Sequence, residues 1–244
     1  MNTLRVPSAI ASLRAMLRKL PGVRAVMNWL RPYRAPTRKP QGSKGIRSLG
    51  HRLYVGGLWD EIGRLQFNFL VAHGLQPHHY LLDIACGSLR AGVHFIPYLE
   101  PRHYLGIDKE EELIAAGIRH ELTPQLMQEK QPQFVVSAGF EFERFGVRPD
   151  FALAHSLFTH LPPEGITRCL ARLRATIQDS GTCFATFFEI RRPRSNAAET
   201  PGHGRFLYTR HDMQRFGAAT GWRMSYVGRW GHPRGQKMVT YHPA

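Results

Sequence analysis

Tyr80-Leu81-Leu82-Asp83-Ile84-Ala85-Cys86-Gly87-Ser88-Leu89-Arg90-Ala91-Gly92 decides the fold, because an apolar run stops at an acid and opens into small residues. A short apolar run of this kind reads as a buried strand, and the small residues after it read as a tight loop leading into a helix. Small side chains at positions 85, 87 and 88 let the backbone approach a ligand without obstruction.

Outward from this stretch, strand and helix alternate. Leu58, Ile62, Leu65 and Phe69 keep helical spacing, so residues 59–73 are expected to form a helix, closed by Gly74 with Pro77 three residues on. Residues 104–108 read as a strand ending in an acid, 110–117 as a helix, and 134–137 and 151–154 as two further strands. Ile166, Leu170, Leu173 and Ile177 define one face of a helix over 163–178, with Pro163 at its first turn. Residues 183–188 form an apolar strand, and Thr209 with Asp212 resembles a capping box opening a helix that carries Met213 and Phe216. Residues 222–227 and 238–240 supply the last two strands. The expected fold is therefore α/β: a Rossmann-like, mostly parallel, seven-stranded sheet with helices on both faces and an antiparallel final strand pair.

In open sheets of this class, ligands bind beyond the carboxyl ends of the strands. The first strand ends at Asp83 and the second at Asp108, about 25 residues later, close to the separation at which an acid reaches a ribose in a nucleotide-binding fold. A carboxylate there accepts hydrogen bonds from two ribose hydroxyls more strongly than a neutral residue does. A dehydrogenase would need Gly-x-Gly-x-x-Gly for a pyrophosphate, and this spacing is missing after the first strand.

The segments Asp83-Ile84-Ala85-Cys86-Gly87-Ser88, Gly106-Ile107-Asp108 and Phe151-Ala152-Leu153-Ala154-His155-Ser156-Leu157-Phe158-Thr159-His160-Leu161, in register with the strand order, resemble the class I S-adenosylmethionine-dependent methyltransferases. The resemblance runs over roughly residues 56–241. It implies S-adenosyl-L-methionine as cofactor, with Asp83, Ala85, Cys86, Gly87 and Ser88 cradling its methionine part. It implies Asp108, followed by Lys109, at the ribose, and His155 and Ser156 after the fourth strand. The family usually has glycines where this chain has Ala85 and Leu89, and Ala85 suits the loop if its φ is negative. An acid common after the third strand is replaced by Ser137-Ala138-Gly139, which leaves Phe140 as a stacking surface for adenine and Glu141 as an acceptor.

Methyl transfer by in-line displacement needs alignment more than covalent machinery. The acceptor atom is oxygen or nitrogen: an amine must be bound as its free base, and a hydroxyl needs a base, for which His155, His160, Glu189 and His211 are candidates, His155 first by position. Glu189 ends an apolar strand, where a charge is costly unless it faces a polar site; it equally suits an ordinary strand-end carboxylate. His160 equally suits a turn histidine bonded to backbone. None of these residues has metal-ligand spacing, so no metal is expected. The long polar segment 191–205, with Arg191, Arg192, Arg194 and Arg205, reads as a substrate lid or as a solvated loop. His232-Pro233-Arg234-Gly235-Gln236 could border the same cavity or serve as a rigid hairpin.

The formal net charge is +15, but twelve of the 33 basic residues precede Asp60, the first acid. The remaining body has 21 basic and 18 acidic side chains, which disfavours a nucleic-acid partner and suits a small-molecule or saccharide-like acceptor. Residues 1–50 are read as a basic extension and 51–244 as the methyltransferase domain. Ile10, Leu13, Leu17 and Leu20 mark an amphipathic helix, a second helical piece covers Val23, Val26, Met27 and Leu30, and residues 32–50 read as a flexible linker. The arm suits an anionic membrane surface, a fold-back helix, a partner-binding arm or a targeting presequence. Cys86, Cys169 and Cys183 are too scattered for a disulfide framework and read as buried apolar residues. No apolar run approaches the roughly 18 residues of a membrane-spanning helix, so a soluble cytoplasmic protein is expected, peripheral to a membrane if the arm binds one. A cofactor-binding module that does not turn over, recruited by that arm, is the alternative to an enzyme. The oligomeric state and the acceptor's identity are not readable from the sequence.

Overall fold

Burial separates the central strands from the edges. In the computed structural model, which describes residues 42–192 and 205–244, β1 (Leu81–Ile84) and β2 (Tyr104–Asp108) are buried at every position. Continuous burial is what a parallel strand covered on both faces requires, and both strands are apolar runs ending near an acid. β3 (Gln133–Val136), β4 (Phe151–Ala154) and β5 (Thr182–Glu189) extend the sheet, and β7 (Trp222–Gly228) and β8 (Lys237–Pro243) complete it. The order is β3-β2-β1-β4-β5-β8-β7. The pairs from β3 to β5 are parallel, whereas β8 runs antiparallel to both β5 and β7. This is the expected seven-strand arrangement with one addition. A two-residue strand, β6 (Leu207–Tyr208), pairs in parallel with the end of β5.

Each face of the sheet has its own core. On one, Leu82, Ile84, Ala152, Ala154 and Phe187 pack with Ile166, Leu170 and Leu173 of α7 (Pro163–Thr176) and Met213 and Phe216 of α8 (Arg210–Ala218). On the other, Leu81, Leu153 and Phe184 pack with Leu70 of α3 (Trp59–Ala72) and with Phe95 and Ile96 of α4 (Gly92–Tyr98). The alternation of β-strand side chains thus sorts neighbouring residues onto opposite faces. All three cysteines are free and buried, as small apolar residues are. Thr209 and Asp212 form the capping box read from the sequence.

Several expectations are corrected. Gly42–Leu49, expected to be linker, is a helix (α1), followed by α2 (His51–Tyr54). Burial of Ile46 and the Arg47–Glu112 contact supply tertiary stabilisation that a Gly/Ser/Lys composition does not advertise. α2 is tied down by Glu121, which accepts from Arg52 Nε and Nη2 at 2.7 and 2.6 Å and lies 2.6 Å from His51 Nε2. Leu58, expected on the buried face of α3, caps that helix at φ 49° and is exposed. The helix expected over 110–117 is α5 (Glu111–Glu121), and α6 (Pro124–Lys130) follows, capped by Thr123 Oγ1 accepting from Leu126 N. The amphipathic arm over 10–20, the helical piece over 23–30, the linker up to residue 41 and residues 193–204 of the expected lid lie outside the described residues.

Candidate functional site

The loop after β1 is built under backbone strain. Ala85, Gly87 and Leu89 all lie in the left-handed region, at φ 61°, 57° and 69°. The condition under which Ala85 would suit the loop, a negative φ, is not met, and the non-glycine residues at 85 and 89 cost on the order of 1 kcal/mol each. The surroundings hold the strained path. Cys86 N donates to Ile107 O at 3.1 Å, Gly87 N to Asp108 Oδ2 at 2.9 Å, and Ser88 Oγ to His51 O at 3.3 Å. Helices press on the loop where they carry glycine. A Cβ at Gly117 would sit 2.7 Å from Ser88 O, and one at Gly63 would sit 2.5 Å from Arg90 O.

Two buried acids flank this loop. Asp83 accepts from Tyr104 Oη at 2.7 Å, and burial pushes its carboxyl up to about 6. Asp108 accepts from Gly87 N and from Glu110 N, each at 2.9 Å, and burial again raises its pKa. Each carboxylate oxygen has two lone pairs, so Asp108 can still accept from ligand hydroxyls. The thiol of Cys86 is pushed well up by burial and is not a nucleophile.

Beyond β4, the chemistry changes character. His155 is buried against Trp230 and His232, at ring-centroid separations of 5.9 and 5.2 Å. Arg90 Nη2 lies 3.3 Å from His155 Nδ1, and Arg90 Nη1 donates to Val55 O and Gly57 O at 3.3 and 3.1 Å. A guanidinium only donates, so His155 Nδ1 accepts and the ring proton stands on Nε2. His232 is arranged alike, its Nδ1 accepting from Arg234 N at 3.2 Å. Both rings are held neutral: burial lowers His155 well below the ordinary range and His232 to about 4, and Arg90 adds to both shifts. Arg90 itself is lowered to about 10, chiefly by burial. His155 Nε2, His232 Nε2 and Arg90 Nε are buried without a hydrogen-bond partner among the described residues.

This geometry gives His155 no free lone pair, so it is not the base its position suggested. Ser156, at φ 60°, is fixed from the sheet: its amide donates to Thr186 Oγ1 at 2.7 Å, and its hydroxyl accepts from Gln236 Nε2 at 2.8 Å. Gln236 Oε1 in turn accepts from Thr186 Oγ1 at 2.6 Å. The other sequence candidates are dispersed. Glu189 accepts from Tyr226 Oη at 2.7 Å, and strand alternation puts it with Phe187 on the face opposite Phe184 and Trp230, away from His155. His160 is exposed in a turn, its amide donating to Leu157 O at 2.9 Å, and His211 is exposed on the first turn of α8. Lys109 is exposed beside Glu110 at 3.8 Å. Phe140 is buried at φ 60° and packs with Phe142 in the core, so its ring does not stand free for stacking. Glu141 is exposed beside Arg144. Arg191, Arg192 and Arg205 are exposed; Arg194 lies outside the described residues.

Sequence reasoning leaves Arg90 open as a substrate contact, a carboxylate contact or a solvated helix residue, places His232 and Gln236 only as residues bordering a cavity or in a rigid hairpin, and assigns nothing to Trp230. The only available signal was that residues 229–237 join the last two strands at the edge where the loop after β1 opens.

No family model matches the sequence. In fold, the chain is similar to magnesium protoporphyrin IX methyltransferase from Synechocystis PCC 6803, solved with bound S-adenosylhomocysteine, at 13% identity and TM-score 0.55 over 76% of this chain and 86% of that one. It is similar to human N-acetylserotonin methyltransferase in complex with S-adenosylmethionine, at 15% identity and TM-score 0.59 over 82% of this chain and 57% of that one. A TehB-like S-adenosylmethionine-dependent methyltransferase from Corynebacterium glutamicum matches at 16% identity and TM-score 0.55, over 82% and 97% of the two chains. The fold is that of the class I S-adenosylmethionine-dependent methyltransferases.

Proposed function

We propose that the protein is an enzyme that moves a methyl group from S-adenosylmethionine to a small-molecule acceptor by in-line displacement. The observation that carries this reading is Asp108: a buried carboxylate at the end of β2 whose oxygen also receives the amide of Gly87 in the loop after β1. One contact thereby joins the ribose acid to the loop that would cradle the methionyl part. The residues present fit the cofactor, with Asp108 at the ribose hydroxyls and residues 85–88 giving close backbone approach. Bound there, the sulfonium group supplies an activated methyl carbon. The chain's own part is to orient both partners and to exclude water, which Trp230 and the buried His155 and His232 support.

The fold neighbours with S-adenosylmethionine or S-adenosylhomocysteine in their descriptions support the choice of donor, and the nearly neutral body supports a small acceptor over nucleic acid. Calorimetric titration of the full chain with S-adenosylhomocysteine tests the reading. Binding is expected, and Asp108→Ala should weaken it about 100-fold through loss of charge-assisted hydrogen bonds. A folded native chain that takes up no S-adenosylhomocysteine would end this reading. A module that binds the cofactor without turnover is the second reading, favoured by one observation, that His155 offers no lone pair to act as a base.

A further inference from the structure

Residues 51–57, α2 and the turn that follows it, touch the loop after β1, yet none of them is buried, and Leu53 is 61% exposed. Polar contacts hold them in place of a core. At one end His51 O accepts from Ser88 Oγ, and Glu121 anchors the side chains of His51 and Arg52. At the other end two arginines take three successive carbonyls. Arg90 Nη1 donates to Val55 O at 3.3 Å and to Gly57 O at 3.1 Å, and Arg234 Nη2 donates to Gly56 O. Gly50, Gly56 and Gly57 have φ of 76°, 102° and 65°, so both ends of the segment turn in a region that glycine enters freely. A Cβ at Gly56 would also stand 2.8 Å from Arg234 Nη1.

The ground this segment covers is the part of the loop assigned above to the methyl donor. Gly87 and Ser88 are buried, and a Cβ at Gly87 would lie 3.2 Å from Val55 Cγ1. Tyr54 belongs to the same cover. Burial raises the pKa of its hydroxyl against the opposing Gly42 amide, and Glu110 and Asp108 add to the rise, so Tyr54 stands within electrostatic reach of the ribose acid.

Resting on the methyltransferase reading, we propose that residues 51–57 are a strap closed over the methyl-donor site, and that Arg90 is the positioning residue that latches it to the loop after β1. A guanidinium suits the task, because its rigid fork of donors serves the strap carbonyls while Nη2, 3.3 Å from His155 Nδ1, is held from the end of β4. A segment with few buried apolar contacts opens at lower free energy than the sheet beneath it. Opening breaks the Arg90 and Arg234 contacts and lets the backbone turn at Gly50 and at Gly56–Gly57, while the sheet stays folded. The strap thereby admits the donor, releases S-adenosylhomocysteine and, when closed, keeps water from the site.

The test is hydrogen–deuterium exchange of the full chain with and without saturating S-adenosylhomocysteine, joined to the ligand's dissociation rate measured by stopped flow. In the native chain the ligand is expected to slow exchange at the amides of residues 51–57. Arg90→Met, which keeps length and removes the donors, should speed exchange there and raise the dissociation rate about 10-fold or more. The amides of β1 and β4 should keep their native protection, which a general loss of packing would not allow. Arg234→Met, at an exposed position, should act in the same direction more weakly and keeps the test decisive if Arg90→Met fails to fold. Strap exchange that the bound ligand leaves unchanged, or a native dissociation rate in every folded variant, would overturn the proposal and leave the methyltransferase reading standing. A folded native chain that takes up no S-adenosylhomocysteine would sink that reading and the strap's role with it.

Discussion

The ends of β1 and β2 and the ground beyond β4 and before β8 lie along one side of the same sheet and are buried to a similar degree, yet they handle polarity in opposite ways. At β1 and β2 the buried groups are acids, and each has internal donors: Tyr104 Oη for Asp83, the amides of Gly87 and Glu110 for Asp108. Beyond β4 the buried groups are two imidazoles and a guanidinium, with three donors left over. The first region satisfies itself and sets the shape of a loop. The second leaves Arg90 Nε, His155 Nε2 and His232 Nε2 without an acceptor among the described residues.

The largest expected effect separates the two regions by pH. Folded Asp83 keeps its proton up to about pH 6, whereas the unfolded carboxyl loses it near 4. Between these values the folded state binds more protons, so the Asp83 contribution to stability falls as pH rises through the window and stays lost above it, by ~3 kcal/mol. His232 has the opposite sign: folded, it releases its proton near pH 4, whereas the unfolded ring holds one to about 6.5, so its contribution rises with pH across that interval. Urea unfolding from pH 4 to 8 checks both. Asp83→Asn, relative to the native chain, should gain stability with rising pH, and His232→Asn should show the reverse difference. Differences of the same sign in the two variants would break the contrast.

A smaller effect is expected at Gln236, which joins the strand ends of β4 and β5 through Ser156 and Thr186. Gln236→Leu leaves the buried Thr186 hydroxyl and the half-buried Ser156 hydroxyl short of a bond and should cost about 2 kcal/mol in chemical denaturation. The smallest effect tests loop strain: Ala85→Gly should stabilise the chain by about 0.5–1 kcal/mol, because glycine adopts φ 61° without penalty. A destabilised Ala85→Gly variant would show that the Ala85 methyl makes contacts outweighing the strain.

Much of the fold was legible because it is written in local patterns. The apolar runs of β1, β2 and β5, the face of α7 and the Thr209–Asp212 cap are each decided by neighbours within a few residues. α1 was not legible, since Gly42–Leu49 is helical through the burial of Ile46 rather than through helix-favouring composition. β6 has two residues, too few for any periodicity. Thr123-Pro124 is a local start signal for α6, an N-cap followed by Pro at the first helical position. In the site, Asp83 and Asp108 were found because strand ends can be counted. The sign of φ at Ala85 was not legible, because sequence carries residue type but not φ. The role of His155 was misjudged for another reason: which nitrogen holds a lone pair depends on Arg90, 65 positions away in the chain.

The central claim, that the chain moves a methyl group from S-adenosylmethionine to a small molecule with Asp108 holding the donor, meets its most direct test in a single transfer assay. The full chain would be incubated with methyl-labelled S-adenosylmethionine and the small-molecule fraction of a cell extract. The account predicts label in a small-molecule product and no transfer by Asp108→Ala. No transfer by the folded native chain, or undiminished transfer by Asp108→Ala, would contradict it.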